Sequence, residues 1–193
     1  MKLTVIGAGY VGLVSAACFS DFGYEVICVD RDAARVASLQ AGVIPIYEQG
    51  LEPVVANNLR AGRLTFTQDL AAAVAGADVV LIAVGTPTRE GEDGADMSFV
   101  HGAAEEIARA MQGFTVIVTK STVPVGTAAK LREIISKARP EGDFEVASNP
   151  EFMREGSAVE DFVRPDRVVV GVSSPRAEEV LRQLYRPLTA KNV

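Results

Sequence analysis

Two acidic side chains four positions apart, Glu151 and Glu155, lie in the stretch SNPEFMREG (148–156), which follows an apolar run. On one exposed helical face such a pair repels by about 0.2–0.5 kcal/mol. In a confined site two carboxylates take separated pKa values, so that one acts as a base while the other binds. A structural explanation competes for half of the pair. Ser148 and Glu151 have the S-x-x-E spacing of a capping box, with Pro150 in the first turn of the helix it would open. That box leaves Glu155, one turn further along the same face, without a role.

A second constellation is VIGAGYVG, which places Gly7, Gly9 and Gly12 in G-x-G-x-x-G spacing where a strand gives way to a helix. The first glycine permits the tight turn, the second lets a pyrophosphate approach the backbone, and the third lets helix and strand pack closely. The N-terminus of the helix then favours the anion. Alone the pattern is weak, because ordinary tight turns also use such glycines. The following strand, EVICVD, ends in Asp30, eighteen positions after Gly12, close to the roughly 20 expected of an acid that bonds the adenosine ribose hydroxyls. A carboxylate there accepts the diol of NAD and repels the additional phosphate of NADP. Arg31 and Arg35 keep a phosphate-receiving alternative open, against the plain reading of charges on a solvated helix start.

Three further loops carry polar side chains beside a proline: GTPT (85–88), KSTVPVGT (120–127) and the acidic stretch itself. Thr86, Ser121, Thr127 and Ser148 are each explained by turn or helix capping. Their shared position after apolar strands is less easily explained that way, since ligands of open parallel sheets lie beyond the carboxyl ends of the strands.

The elements that must hold these groups alternate along the chain. Strands are predicted at 3–6, 25–29, 64–67, 79–84, 115–119, 144–147 and 168–172, and helices at 11–22, 33–41, 51–61, 98–111, 127–137 and 176–184. The alternation predicts an α/β fold, a Rossmann-like doubly wound, mostly parallel sheet with helices on both faces. Continuous apolar strands such as VVLIAV fit burial on two sides. No repeat or linker divides the chain, so residues 1–193 are read as one domain.

Composition removes several classes of function. With 19 basic and 25 acidic side chains the net charge is −6 and no cationic run marks a nucleic-acid footprint. A single histidine, His101, and two cysteines without metal spacing make no zinc site. The apolar N-terminal stretch superficially resembles a secretory signal, but three glycines interrupt it. No uninterrupted apolar run reaches membrane-spanning length. A reduced cytoplasmic protein is expected, with Cys18 and Cys28 as core residues.

The segments GAGYVGL, IPIYEQGLE (44–52), VGTPT, KSTVPVGT and SNPEFMREGSAVEDFVRPDRVVVG, in this order and spacing, resemble the UDP-glucose 6-dehydrogenases among the nucleotide-sugar dehydrogenases. EDFVRPDRVVVG looks more like that branch than the GDP-mannose or UDP-N-acetylmannosamine branches, which remain the alternative, as does a free-standing NAD-binding sensor. The resemblance implies oxidation of the C6 alcohol of UDP-glucose to a carboxylate in two hydride transfers, with NAD as cofactor and a cysteine thioester on the way. It implies that Gly7, Gly9, Tyr10, Val11 and Gly12 hold the dinucleotide, that Asp30 and Arg35 meet the ribose, and that Thr86, Ser121, Thr122 and Glu155 contact the cofactor further along. Thr122 would orient a water or the substrate hydroxyl, Glu151 would be the general base for thioester hydrolysis, and Phe152, Met153, Arg154 and Glu155 would line the sugar, with Met153 where leucine is more usual. The family's nucleophilic cysteine comes from downstream of its NAD-binding domain. Residues 1–193 are therefore expected to be the N-terminal domain of an enzyme about twice as long, lacking the central helix and the UDP-binding domain. The whole enzyme would be a homodimer or larger, this piece a monomer that binds NAD without completing the reaction.

Overall fold

The computed structural model describes residues 1–88 and 94–189. Along the chain run β1 (Lys2–Ile6), α1 (Tyr10–Asp21), β2 (Glu25–Val29), α2 (Ala33–Gln40), α3 (Leu51–Arg60), β3 (Leu64–Thr67), α4 (Leu70–Ala75) and β4 (Val79–Ile82). The second half continues with α5 (Ser98–Ala110), β5 (Thr115–Thr119), α6 (Thr127–Ala138), β6 (Phe144–Ser148), α7 (Ala158–Val163), α8 (Pro175–Leu184) and α9 (Arg186–Thr189).

All four residues of β4 and all five of β5 are buried, because each strand is covered on both faces. Their side chains alternate between two cores. Val79, Leu81, Val116 and Val118 pack with Leu13 of α1, Val55 of α3, Phe162 of α7 and Leu181 of α8. Val80, Ile82 and Ile117 pack on the other face with Val100 and Ile107 of α5 and with Leu131 and Ile135 of α6. Fully burying one such side chain contributes roughly 1.5–3 kcal/mol. Helix α1 is apolar around its whole circumference, and Gly12 through Ser20 are all buried, so it lies wholly inside one layer.

Every pairing in the six-stranded sheet is parallel, and the order is β3-β2-β1-β4-β5-β6. The chain winds outward from β1 to β3, then returns to begin again beside β1 at β4. The strand order reverses there, with Val5 set between Cys28 and Leu81. In doubly wound sheets that reversal opens a crevice beyond the carboxyl ends of the two central strands.

The fold class expected from the sequence is the one observed, and three local expectations are not. Residues 150–156 form no helix, so Glu151 and Glu155 do not share a helical face and the capping box does not exist. Ser148 instead ends β6 and exchanges backbone hydrogen bonds with Gly171, at 2.9 and 2.8 Å. The segment 168–172 has the burial alternation of a strand, with Val168 and Val170 against the core, yet among the described residues its backbone pairs only through that Gly171 bridge. Helices α4, α7 and α9 were not anticipated. They span six, six and four residues, shorter than the two turns over which helical period becomes legible.

Candidate functional site

Gly7 takes φ +101°, and a Cβ there would come within 2.6 Å of the Ala83 carbonyl oxygen. At Gly12 a Cβ would lie 1.8 Å from the Gly7 carbonyl oxygen, so helix α1 and the turn close on each other only without a side chain. Among the described residues nothing lies within 4 Å of the Cβ position of Gly9, the N-cap of α1. Two glycines are thus required by the protein's own packing, whereas the middle one faces open space, as a cradle for an approaching pyrophosphate must.

Asp30 stands at the end of β2 beside that turn. Its Oδ2 accepts from the Ala8 N–H at 2.7 Å and from Arg35 Nη1 at 3.1 Å, and its Oδ1 from the Asp32 N–H at 2.9 Å. Burial alone would raise its pKa. The Asp32 and Ala8 N–H groups and the Arg35 guanidinium outweigh that effect and hold the carboxyl below its ordinary value. Oδ2 already takes two donors and Oδ1 only one, so Oδ1 keeps lone-pair capacity toward a diol. Arg31 is bonded to Glu106 of α5, so both arginines near the ribose position are already paired with carboxylates. Gly7, Gly9, Asp30 and Arg35 line one cavity of about 590 Å³ with Val84, Gly85 and Pro87, a volume within the usual range for ligand sites. These residues fit the adenosine and pyrophosphate part of a dinucleotide.

A second cavity, about 430 Å³, opens beside β6 and is lined by Lys120 and by Glu151, Phe152, Met153 and Arg154, four of the residues expected to meet a sugar. The loop that carries them avoids helix because carboxylates, in place of carbonyls four residues back, satisfy its backbone donors. Met153 N–H donates to Glu151 Oε2 at 2.7 Å, Arg154 N–H to Asp161 Oδ2 at 2.8 Å, and Gly156 N–H to Glu48 Oε1 at 2.6 Å. The Arg154 guanidinium is also held by Asp161, with Nη2 to Oδ1 at 2.7 Å. Arg167 stacks over the Phe152 ring, 5.0 Å from its centroid.

Tyr10 joins the two regions. Its hydroxyl donates to the Arg154 carbonyl oxygen at 2.9 Å. Burial and then the carboxylates of Glu48, Glu155 and Glu151 raise the phenol pKa, so the hydroxyl keeps its proton. The acids of the 148–156 loop are therefore within electrostatic reach of the first residue of α1. Val11 is half-buried behind it. In the loop after β5, Ser121 Oγ donates to the Val84 carbonyl oxygen at 2.7 Å, and Thr86 Oγ1 donates to the Thr122 carbonyl oxygen at 3.2 Å. These bonds lace the β4 and β5 loops together between the glycine turn and the acidic loop. The side chains of Thr122 and Glu155 are exposed.

Sequence reasoning gave no role to Lys120, Asn149, Tyr185 and Glu48. Lys120 is 4% exposed, and its Nζ donates to Asn149 Oδ1 at 3.1 Å, an oxygen that also accepts from the Tyr185 hydroxyl. Burial lowers the Lys120 pKa to about 8, against the pull of Glu151 in the other direction. The legible signal was a charge placed directly after TVIVT, a strand apolar enough to be covered on both sides. Among the described residues no group of three or more His, Cys, Asp or Glu is placed to hold a metal ion. No described helix is long and apolar enough to cross a membrane.

Parallel strands reversing order over a glycine turn, with an acid at the end of β2, define a Rossmann-type dinucleotide-binding domain. Residues 1–189 match the UDP-glucose/GDP-mannose dehydrogenase family, NAD binding domain, and the chain belongs to that family. It is 59% identical over 190 residues to a UDP-glucose 6-dehydrogenase of Rhizobium meliloti, a match covering 97% of this chain and 44% of the relative. A solved UDP-glucose dehydrogenase of Pyrobaculum islandicum superposes with TM-score 0.93 at 41% identity, over 97% of this chain and 44% of the other. A ternary complex of GDP-mannose dehydrogenase from Pseudomonas aeruginosa gives TM-score 0.93 at 34% identity, with the same coverage of 97% and 44%. The chain thus spans less than half the length of these relatives. The cofactor of the domain is NAD.

Proposed function

We propose that residues 1–193 form the NAD-binding domain of a longer dehydrogenase that oxidises UDP-glucose at C6. The observation that carries this reading is the Tyr10 hydroxyl bonded to the Arg154 carbonyl at 2.9 Å, which sets the acidic loop against the dinucleotide turn. The 59% identity to a UDP-glucose 6-dehydrogenase supports the substrate.

Bound NAD supplies the hydride acceptor. Gly9 and the N-terminal N–H groups of α1 receive the pyrophosphate, and Asp30, steadied by Arg35, accepts the ribose hydroxyls. Thr86, Ser121, Thr122 and Glu155 meet the cofactor further along, and the Thr122 hydroxyl orients the reacting oxygen or a water. Glu151 acts as the general base, and Phe152, Met153 and Arg154 form one wall of the sugar site. The nucleophilic thiol must come from another part of the enzyme. Cys18 and Cys28 are 1% and 0% exposed. Burial pushes the Cys18 thiol up to about 12 and that of Cys28 higher, away from the thiolate that attacks. Unpaired cysteines suit a reducing compartment, and the reading places the enzyme in the cytoplasm.

Calorimetric titration with NAD and NADP tests the cofactor side. Wild type should prefer NAD, and Asp30→Asn should weaken NAD about tenfold or more, as loss of a charged acceptor does. Equal affinity of wild type for the two cofactors sinks the assignment of Asp30. Sustained NADH formation from UDP-glucose by residues 1–193 alone sinks the assignment of the thiol to another part of the enzyme.

A further inference from the structure

The segment IPIYEQGLE is left without a task by the reading above, although it places a carboxylate deep in the protein. Glu48 is 6% exposed, while its neighbour Tyr47 is 89% exposed. The buried carboxylate accepts from the Gly156 N–H at 2.6 Å and from the Ala158 N–H at 3.0 Å, across 108 and 110 residues of sequence. Burial alone would raise its pKa. The N–H groups of Gly156 and Ala158 hold it below the ordinary value, so Glu48 stays ionised. Ser157, the N-cap of α7, makes no side-chain cap bond, and Glu48 serves the start of that helix from a distance.

Glu48 therefore fixes the far end of the acidic loop, and Tyr10 fixes its middle at Arg154. Tyr10 is also the first residue of α1, adjacent to Gly9. Whatever holds the backbone of residues 9–12 also holds the Tyr10 ring, and through it the loop. We propose that Glu48, through the Gly156 and Ala158 N–H groups, is a positioning residue, and that the Tyr10–Arg154 bond couples dinucleotide occupancy of the glycine turn to the order of the loop bearing Glu151 and Glu155. This rests on the cofactor reading above. Coupling of this kind is reciprocal: a dinucleotide that steadies Tyr10 lowers the cost of ordering the loop, and an ordered loop tightens the dinucleotide. In the whole enzyme it would steady the base further when cofactor is present.

Amide hydrogen exchange read residue by residue on residues 1–193, with and without saturating NAD, tests the coupling. In wild type NAD should slow exchange at Gly156 and Ala158 about fivefold or more, the lower end of ordinary coupling. Glu48→Gln should speed exchange at both amides about tenfold without NAD, because a charged acceptor is lost. Tyr10→Phe, at NAD concentrations shown by calorimetry to saturate the variant, should lose the increment that NAD adds at Gly156 and Ala158, a change that a purely structural Glu48 would not produce. Calorimetric NAD binding with unaltered exchange at Gly156 and Ala158 in wild type overturns the coupling and leaves the cofactor reading standing. Absence of NAD binding overturns both.

Discussion

Lys120→Met is the most discriminating substitution for the energetics of the site. The ammonium is 4% exposed and meets Asn149 Oδ1, with the Phe162 ring 5.6 Å from Nζ. Burial takes its pKa from the ordinary 10.5 to about 8. At about 1.4 kcal/mol per pH unit, that fall means the folded protein disfavours the charged form by about 3 kcal/mol. The sign follows from proton counts. Between pH 8 and 10.5 the unfolded chain holds more protons at this position than the folded chain, so stability rises with pH across that window. Below it the full destabilisation is present. Methionine fills nearly the same volume without a charge, and Asn149 Oδ1 keeps the Tyr185 hydroxyl as a donor. The variant should therefore be more stable than wild type by about 1–3 kcal/mol at pH 7, the lower figure allowing for the lost hydrogen bond. The difference should shrink toward zero by pH 10.5. Urea unfolding followed by circular dichroism at pH 7, 8.5 and 10 measures it as a change in midpoint at constant slope. A variant no more stable than wild type at pH 7, or a gap that does not narrow above pH 8, refutes the reasoning. The destabilising charge sits in the cavity wall beside Glu151, which is where stability is ordinarily surrendered to function.

Gly12→Ala should cost about 3 kcal/mol or more, because a Cβ 1.8 Å from a backbone carbonyl oxygen forces helix α1 off the turn. Gly9→Ala, with nothing within 4 Å, should unfold at nearly the wild-type urea concentration yet bind NAD more weakly. Equal losses of stability in the two variants would contradict the division of labour among the glycines. Neither Cys18 nor Cys28 should react with a thiol reagent such as dithiobisnitrobenzoate at pH 8 until urea unfolds the chain. Rapid labelling of either in the native protein would reopen the question of the nucleophile.

The sequence by itself determined whatever depends on short spacings and local conformation. Gly7 at positive φ and Gly12 against its carbonyl are demands of one turn, and the continuous apolar runs of β4 and β5 call for cover on both faces. Asp30 was legible because it ends the strand next in line. The tertiary structure alone decided the form of the acidic loop. SNPEFMREG reads locally as a capped helix, and it becomes an extended loop because Asp161 and Glu48 take its N–H groups, together with Glu151 from within. The same holds for Lys120, whose burial depends on Phe162 and Tyr185 arriving from α7 and from the turn after α8. A carboxylate 108 residues away in sequence leaves no periodicity to read. Its effect appears only when the sheet has brought β1, β5 and β6 to a common edge and fixed the distances over which charge and hydrogen bonds act.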